Sequence, residues 1–286
     1  MRILVCVVLF LVCHGFSSAQ DEDRSLTAHL QALAMASTDA ARDSIDPLIN
    51  VDLRTILERE DGLIRSMDDL PISRVDAPDG TFRLITWNVP REDGSHIYHG
   101  FLLAKQGRTP VLHELKDMTA SITTPELAEL GPDRWYGALY YQVIPVRKGG
   151  KTWYTLLGWK GYSKVETRKV IDVLSFRGGK PRFGAPAFTP NTTDAPKSRV
   201  KQQRVIHGFF FQAKMLLQYD QEHQRIVLDH LSPLRADMAG QNVFTGPDLS
   251  YDAYVWENGQ WQYQRDIDAR DMRNNGRPFN APPREP

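Results

Sequence analysis

The residues best suited to chemistry lie in one stretch near the C-terminal end of the chain. Asp229 and His230 follow the apolar run IVL, and Asp252 lies a short distance further along. Carboxylate and imidazole groups serve as general acids and bases. Asp229 and Asp252, assisted by His230, are therefore the candidate catalytic residues of a carboxylate-dependent hydrolase. Glycosidases hold such a carboxylate pair about 5 to 9.5 Å apart across a cleft.

The same residues also have structural explanations. In an extended strand Asp229 and His230 point to opposite faces, so they form no side-by-side dyad unless the strand ends there. The sequence LSP that follows indicates that it does end nearby. A polar pair that finishes an apolar strand needs hydrogen-bond partners, and anchoring a loop would provide them.

Aromatic and turn residues supply candidates for ligand binding. We assign Trp159, Asp248 and Tyr251 to this group, although Asp248 lies in the turn sequence GPD and could simply cap that turn. Trp256 and Trp261 offer ring faces of the kind that pack on sugars, but a packed aromatic ladder is the favoured explanation for them.

A hairpin around Asn258-Gly259 fixes the expected surroundings of Asp252. The dipeptide favours a two-residue type I′ turn, in which both residues have positive φ. The resulting register places Trp256 opposite Trp261, Tyr254 opposite Tyr263 and Asp252 opposite Arg265. The sequence therefore predicts a cross-strand ion pair between Asp252 and Arg265.

The strong catalytic and cofactor motifs are absent from the sequence. It contains no GxGxxG, Walker-type phosphate loop, HExxH, GxSxG or paired CxxC. The segment DIDARD resembles a calcium loop only faintly, because it lacks the glycine and has Arg270 at a ligand position. We expect neither a cofactor nor a metal. With 35 basic and 35 acidic residues, the charge gives no reason to expect nucleic acid as a partner.

Residues 1–19 have the pattern of a secretory signal peptide. Arg2 precedes an apolar run, and the small residues SSA mark a cleavage site before Gln20. The run is shorter than the roughly 20 residues that span a bilayer. Both cysteines lie inside this segment, so the mature chain is expected to contain neither a cysteine nor a transmembrane segment. Export to the periplasm or the medium follows.

Residues 20–70 are predicted to be a helical segment that packs on the main domain. Ser25 is the expected N-cap of a first helix, Asp46-Pro47 a break, and Asn50 the cap of a second helix. Ser163 and Glu166 match a capping box and predict another short helix, although the alternation that follows also suits a strand. A long exposed loop over residues 186–198 and a disordered tail over residues 272–286 complete the assignment.

About a dozen predicted strands, joined mainly by short hairpin loops, indicate a mainly β (α+β) fold. We expect an antiparallel, hairpin-rich domain over residues 71–271, arranged as a sandwich or an open barrel, with a small β-propeller as the alternative. The loop at Gly149-Gly150 is predicted to exceed two residues, because a two-residue turn would place Lys148 opposite Lys151.

Several phrases resemble a family of exported proteins of Bacteroidetes-type bacteria. They are YTLLGWKGYSKVETRKVIDVLSF, GKPRFGAPAF, IVLDHLSP and GPDLSYDAYVWENGQW. The resemblance covers most of the chain from about Leu70 to Asp268 and implies bacterial export and one continuous domain. No activity is established for that family, so the resemblance assigns no residue a role.

These observations favour an exported binding or structural module of the cell envelope, with an envelope glycan or a protein as its partner. The alternative is the carboxylate-dependent hydrolase, acting on an envelope polysaccharide or a similar substrate. A third possibility is a scaffold that binds partners through the N-terminal helices. It predicts an exposed apolar patch on the leucines from Leu26 to Leu57.

Overall fold

The computed structural model of the chain describes residues 21–107, 109–189 and 201–269. The predicted signal peptide, the predicted tail and most of the predicted loop over residues 186–198 lie outside the described residues. The chain divides into two compact units between Ile72 and Ser73.

The first unit contains two helices, α1 over residues 21–35 and α2 over Asp39–Leu57. The predicted caps and break are wrong. Ser25 lies inside α1, the N-cap of α2 is Thr38, and Pro47 lies inside α2. Proline in a helix loses one hydrogen bond and crowds the preceding turn. Burial of the apolar face of α2 opposes that cost, because tertiary packing supplies most helix stability.

Most leucines of these helices are buried, but Leu48 of α2 is 45 % exposed. Leu26, Leu30 and Leu33 are between 0 and 8 % exposed, and Leu53 and Leu57 are at most 1 % exposed. These five leucines therefore form no exposed patch of the kind that a helical scaffold requires, whereas Leu48 and Val51 of α2 are exposed. Among the described helices, none combines the length and the apolar character needed to cross a membrane.

The second unit consists mainly of antiparallel strands in three sheets, as the mainly β (α+β) prediction requires. The first sheet contains β1 (Ser73–Asp76), β2 (Phe82–Pro90), β3 (His96–Gln106) and β4 (Thr109–Lys116). The second contains β5 (Leu139–Lys148), β6 (Lys151–Gly161), β7 (Glu166–Arg177), β8 (Lys180–Phe183) and β9 (Val205–Phe210). The third contains β10 (Leu217–Asp220), β11 (Arg225–Pro233), β12 (Thr245–Glu257) and β13 (Gln260–Gln264).

Each sheet is a meander in chain order, except that β9 pairs with β7 in the second sheet. The second sheet lies between the other two. Leu156 and Val170 pack in one apolar cluster with the first sheet, whereas Leu157 and Ile171 pack in another with the third. The described strands thus form three face-to-face layers, as in a sandwich, and contain no closed barrel. Meanders also build propeller blades, but a propeller typically needs at least four around a ring.

The hairpins show where turn chemistry decided the register. Asn258 and Gly259 have φ of 52° and 73°, and Trp256 pairs with Trp261 at 5.3 Å between ring centroids, as predicted. The wider loop predicted at Gly149-Gly150 is wrong, because Lys148 does pair with Lys151. The Lys148 ammonium donates to the Pro186 carbonyl instead of facing Lys151, which relieves the repulsion.

The short helix predicted after Ser163 is also wrong. The Ser163 hydroxyl accepts from the Glu166 amide at 3.1 Å, as in a capping box, but Glu166 begins strand β7. Val170, Ile171 and Val173 are fully buried on the two faces of the second sheet. That burial outweighs the local capping signal, as tertiary context commonly does.

An ion pair with no exposure ties the second sheet together. Arg204 Nε lies 3.1 Å from Asp172 Oδ2, and both side chains are 0 % exposed. The Tyr140 hydroxyl donates to the same carboxylate oxygen at 3.0 Å. Arg204 also donates through Nη1 to the carbonyls of Ala128 and Pro125. Removing one partner of such a pair leaves an uncompensated buried charge.

We therefore expect Arg204→Met to lower the free energy of unfolding by about 3–5 kcal/mol. The matched control is Arg177→Met, whose ion pair with Glu129 involves an arginine side chain 72 % exposed. The control should change stability by no more than about 1 kcal/mol. Urea unfolding measures both, and equal effects of the two substitutions would contradict the structural role of Arg204.

Candidate functional site between the second and third sheets

One candidate ligand-binding residue, Trp159, belongs to a row of three polar or aromatic side chains on the second sheet. Trp159 pairs with Lys169, and Lys169 pairs with His207. Cross-strand partners share one face of a sheet. Leu157 and Ile171 project from the same face and pack on the third sheet, whereas Trp159 packs against both apolar clusters and its ring centroid lies 5.6 Å from that of His96 on β3. We call Trp159, Lys169 and His207 the inter-sheet row. All three residues are half-buried.

Lys169 is poorly satisfied for a half-buried cation. Its ammonium lies 3.4 Å from the Tyr141 hydroxyl and 4.7 Å from the centroid of the Tyr141 ring. Among the described residues, no carboxylate comes within 4.0 Å of it. Burial lowers the pKa of Lys169 to about 8, while the negative charge of Asp229 opposes this shift. The amine thus carries its charge with spare hydrogen-bonding capacity.

His207 has a similar deficit. Its Nε2 atom is buried and has no hydrogen-bond partner. Burial lowers the pKa of His207 to about 4, and the Asp252 carboxylate opposes that shift. The imidazole is therefore neutral at neutral pH, and one ring nitrogen makes no hydrogen bond within the protein. Buried polar atoms in native proteins are usually paired, so each exception needs an explanation.

Across the interface, Asp252 organises a network on the third sheet. Its Oδ2 lies 2.6 Å from His230 Nδ1 and accepts from the Tyr263 hydroxyl at 2.5 Å. Its Oδ1 accepts from the Asp266 amide at 3.1 Å. The predicted ion pair with Arg265 is wrong, because β13 ends at Gln264 and Asp266 turns the chain with a φ of 56°. Arg265 Nη2 instead lies 3.5 Å from His230 Nε2.

The Asp229 carboxylate already accepts a hydrogen bond from the residue that precedes strand β10. The Leu216 amide donates to Asp229 Oδ2 at 2.6 Å. Burial raises the pKa of Asp229, the Leu216 hydrogen bond lowers it, and the charges of Asp248 and Lys169 act in opposite directions. The register pairs Asp229 with Tyr251, and Asp252 with Leu228, just before a bulge. Adjacent register positions alternate between faces, so the two carboxylates leave their strands on opposite sides.

Asp248 holds a strained turn. Its carboxylate accepts from the Ser232 hydroxyl at 2.6 Å, and from the amide and hydroxyl of Ser250 at 3.1 and 2.7 Å. The Ser232 hydrogen bond is the main reason that the pKa of Asp248 falls to about 2. The turn contains Leu249, which has a φ of 74°. Tyr251 is half-buried, and its carbonyl accepts from Ile267.

The structure thus relates some of the predicted candidates and separates others. Asp229 and Asp252 act electrostatically on Lys169 and His207, the two cross-strand neighbours in the row that begins with Trp159. Asp248 holds the turn at Leu249, and Tyr251 pairs with Asp229 beside the bulge. Trp261 is 0 % exposed and donates to Thr155, so the Trp256–Trp261 pair is a packed ladder. Among the described residues, no group of three or more His, Cys, Asp or Glu side chains could hold a metal ion.

Sequence reasoning missed Lys169 and His207. A lysine beside the apolar run VIDVL was a usable signal, because a charge next to a doubly covered strand is unusual. The incorrect helix after Ser163 hid this signal, because a helix prediction leaves no doubly covered strand beside which Lys169 would stand out. The partnership with His207 needed the pairing of β7 with β9, which no turn in the sequence indicates.

A second buried lysine lies on the opposite face of the second sheet. The Lys160 ammonium is 4.1 Å from the Tyr98 ring centroid and 4.7 Å from that of Tyr136. It donates to Thr119 Oγ1 at 3.0 Å and to the Gly137 carbonyl at 2.5 Å. Its exposure is 2 %, and burial lowers its pKa to about 7. Because these partners satisfy the ammonium, Lys160 is best explained as a structural residue that links the first and second sheets.

The lowered pKa of Lys160 gives a signed prediction for stability. Between about pH 7 and 10.5 the unfolded chain keeps the lysine proton and the folded chain releases it. The free energy of unfolding should therefore rise with pH in this window, by up to about 1.4 kcal/mol per pH unit. Lys160→Met should lack the contribution of Lys160, so its stability should rise less with pH than that of the wild type, and the rise that remains includes the contribution of Lys169, whose pKa is also lowered. The control Lys164→Met removes an exposed lysine and should follow the wild type. Wild-type and Lys160→Met profiles that run parallel in urea unfolding would contradict the prediction.

Comparison with known proteins adds no assignment. No protein-family model matches the chain, and searches of curated proteins and of solved structures gave no match either.

Proposed function

We propose that the chain is an exported, β-rich binding module of the cell envelope, and that it takes a saccharide ligand at the inter-sheet row. The observation that carries this proposal is the combination of Trp159 with two half-buried nitrogen groups that have spare hydrogen-bonding capacity. Export rests on the sequence of residues 1–19, with the periplasm or the medium as the destination.

The chemistry of the row suits a sugar. Saccharides present an apolar ring face together with hydroxyl groups that both donate and accept hydrogen bonds. The Trp159 indole supplies the apolar surface that such a face needs. Lys169 donates, and the neutral His207 imidazole donates or accepts according to its tautomer. Small-molecule sites typically combine apolar walls with a few placed polar groups.

The hydrolase alternative has weaker support. Asp252 already accepts from Tyr263 and Asp266 and contacts His230 Nδ1, and Asp229 already accepts from Leu216. Their strand positions also project to opposite faces, whereas a glycosidase pair flanks one scissile bond. A hydrolytic activity that is lost in Asp229→Asn, with the fold intact, would contradict the binding proposal.

Co-sedimentation with isolated peptidoglycan sacculi tests the proposed function. We expect the wild-type protein to sediment with the sacculi and Trp159→Ala to bind about tenfold more weakly, because one aromatic contact contributes roughly 1.4 kcal/mol. The matched control is Trp256→Ala, which removes another half-buried tryptophan from the ladder of the third sheet. It should bind within about twofold of the wild type.

Two results would count against the proposal. One is the absence of wild-type binding to the sacculi. The other is equal weakening by Trp159→Ala and Trp256→Ala, which would show that loss of packing rather than loss of a ligand contact explains the effect. Thermal melting of each variant confirms that the protein is folded at the assay temperature.

A further inference from the structure

Among the described residues, Arg204 and Lys160 are each held by several groups of the protein, although Arg204 Nη2 is buried without a partner, and Lys169 is held by fewer groups. Arg204 is paired with Asp172, and Lys160 has two hydrogen bonds and two ring faces. Lys169 has only the 3.4 Å contact with the Tyr141 hydroxyl and the adjacent Tyr141 ring. Buried or partly buried charges are normally paired. The structure therefore leaves a position for a counter-ion at Lys169.

The acidic groups that act on Lys169 and on its neighbour His207 do not fill this position. Asp229 on β11 acts on Lys169 electrostatically, but its Oδ2 accepts from Leu216 and it makes no ion pair with Lys169 within 4.0 Å. Both oxygens of Asp252 on β12 are occupied by groups of the third sheet. The remaining groups facing Lys169 are Tyr141 on β5 and the neutral His207 on β9.

His207 supplies a second, independent indication. Its buried Nε2 has no partner, and it is the cross-strand neighbour of Lys169. Directly opposed residues in antiparallel strands have Cβ atoms about 4.5–5.5 Å apart. A carboxylate has two oxygens that accept hydrogen bonds, so one group could engage the ammonium and the imidazole N–H together.

We propose that Lys169 and His207 bind the carboxylate of an acidic saccharide whose ring packs on Trp159. This inference rests on the proposed function and names the ligand class for the same site. Lys169 supplies the positive charge, His207 the second hydrogen bond, and Trp159 the apolar contact.

The charge state of Lys169 gives this subsite a pH dependence. Its pKa of about 8 makes the amine cationic at neutral pH and neutral in more alkaline solution. A bound carboxylate favours the charged form and raises that pKa. Affinity for an anionic ligand should therefore fall as the pH rises above about 8, whereas affinity for a neutral saccharide should not.

Isothermal titration with two matched probes tests the carboxylate subsite. The probes are a trisaccharide of uronic acid and a neutral trisaccharide, each at about pH 6.5 and 9.5. We expect the acidic probe to bind at least about tenfold more tightly than the neutral one at the lower pH, and to lose this advantage at the higher pH. Lys169→Met should abolish the advantage. The control Lys160→Met, which removes the satisfied lysine on the opposite face, should retain it.

A second measurement separates failure of the subsite from failure of the proposed function. Nitrogen-15 NMR of the His207 imidazole during titration with acetate tests the carboxylate contact without any sugar. A saturable shift that is absent in Lys169→Met supports the subsite, even if both trisaccharides fail and the saccharide function is thereby lost. Equal binding of both trisaccharides with no acetate shift overturns the subsite and leaves saccharide binding standing. Acetate binding as tight as that of the uronic trisaccharide overturns the assignment to an acidic sugar.

Discussion

The rest of the domain depends on burial of the second sheet on both faces. One face packs on the first sheet through residues such as Leu156 and Val170, and the other packs on the third through Leu157 and Ile171. A strand covered on both sides has a nearly continuous apolar sequence, because apolar and polar residues need not alternate when neither face meets water. The segment VIDVL in β7 has this character, and its one charge, Asp172, is neutralised by Arg204.

Because both faces of the second sheet are buried, each polar group in it needs a hydrogen-bond or charge partner. A buried charge or donor without a partner costs free energy, so the fold satisfies such groups internally. The Asp172 carboxylate accepts hydrogen bonds from Arg204 and Tyr140, and the Lys160 ammonium lies over two tyrosine rings. Arg204 Nη2, Lys169 and His207 depart from this rule, and the last two are neighbours in register. Two deficits at adjacent positions are explained together by one ligand group, whereas two unrelated imperfections would need separate explanations.

The parts of this fold that local chemistry controls could be predicted from the sequence. Asn258-Gly259 fixed the register of β12 and β13 because few other dipeptides accept positive φ at both positions. The N-cap at Thr38, the continuation of α2 through Pro47 and the strand beginning at Glu166 were missed. There, burial decided against the local preferences for capping and breaking. The predicted sheet system was right in class, and the order of its layers was not readable from hairpins alone.

The candidate site likewise combines residues that the sequence reveals with contacts that only the tertiary structure creates. Asp229, His230 and Asp252 were found because they stand out in the linear sequence. Their partners were not found, since Leu216, Tyr263 and Asp266 are set by a bulge and by the end of β13. Lys169 and His207 come together through pairing of strands that are distant in the chain, with no hairpin between them. Such a contact carries no local sequence signature.

The most direct test of this account is an NMR titration of the ligand-free protein that measures the pKa of Lys169. The variant Lys169→Met identifies the Lys169 resonance. The pKa of His207 is measured in the same titration. The account predicts that Lys169 titrates at about 8 and His207 at about 4, because both lie between two packed sheets without a counter-charge in contact. Titration of Lys169 near 10.5 and of His207 near 6.5, the ordinary values of solvated side chains, would contradict it.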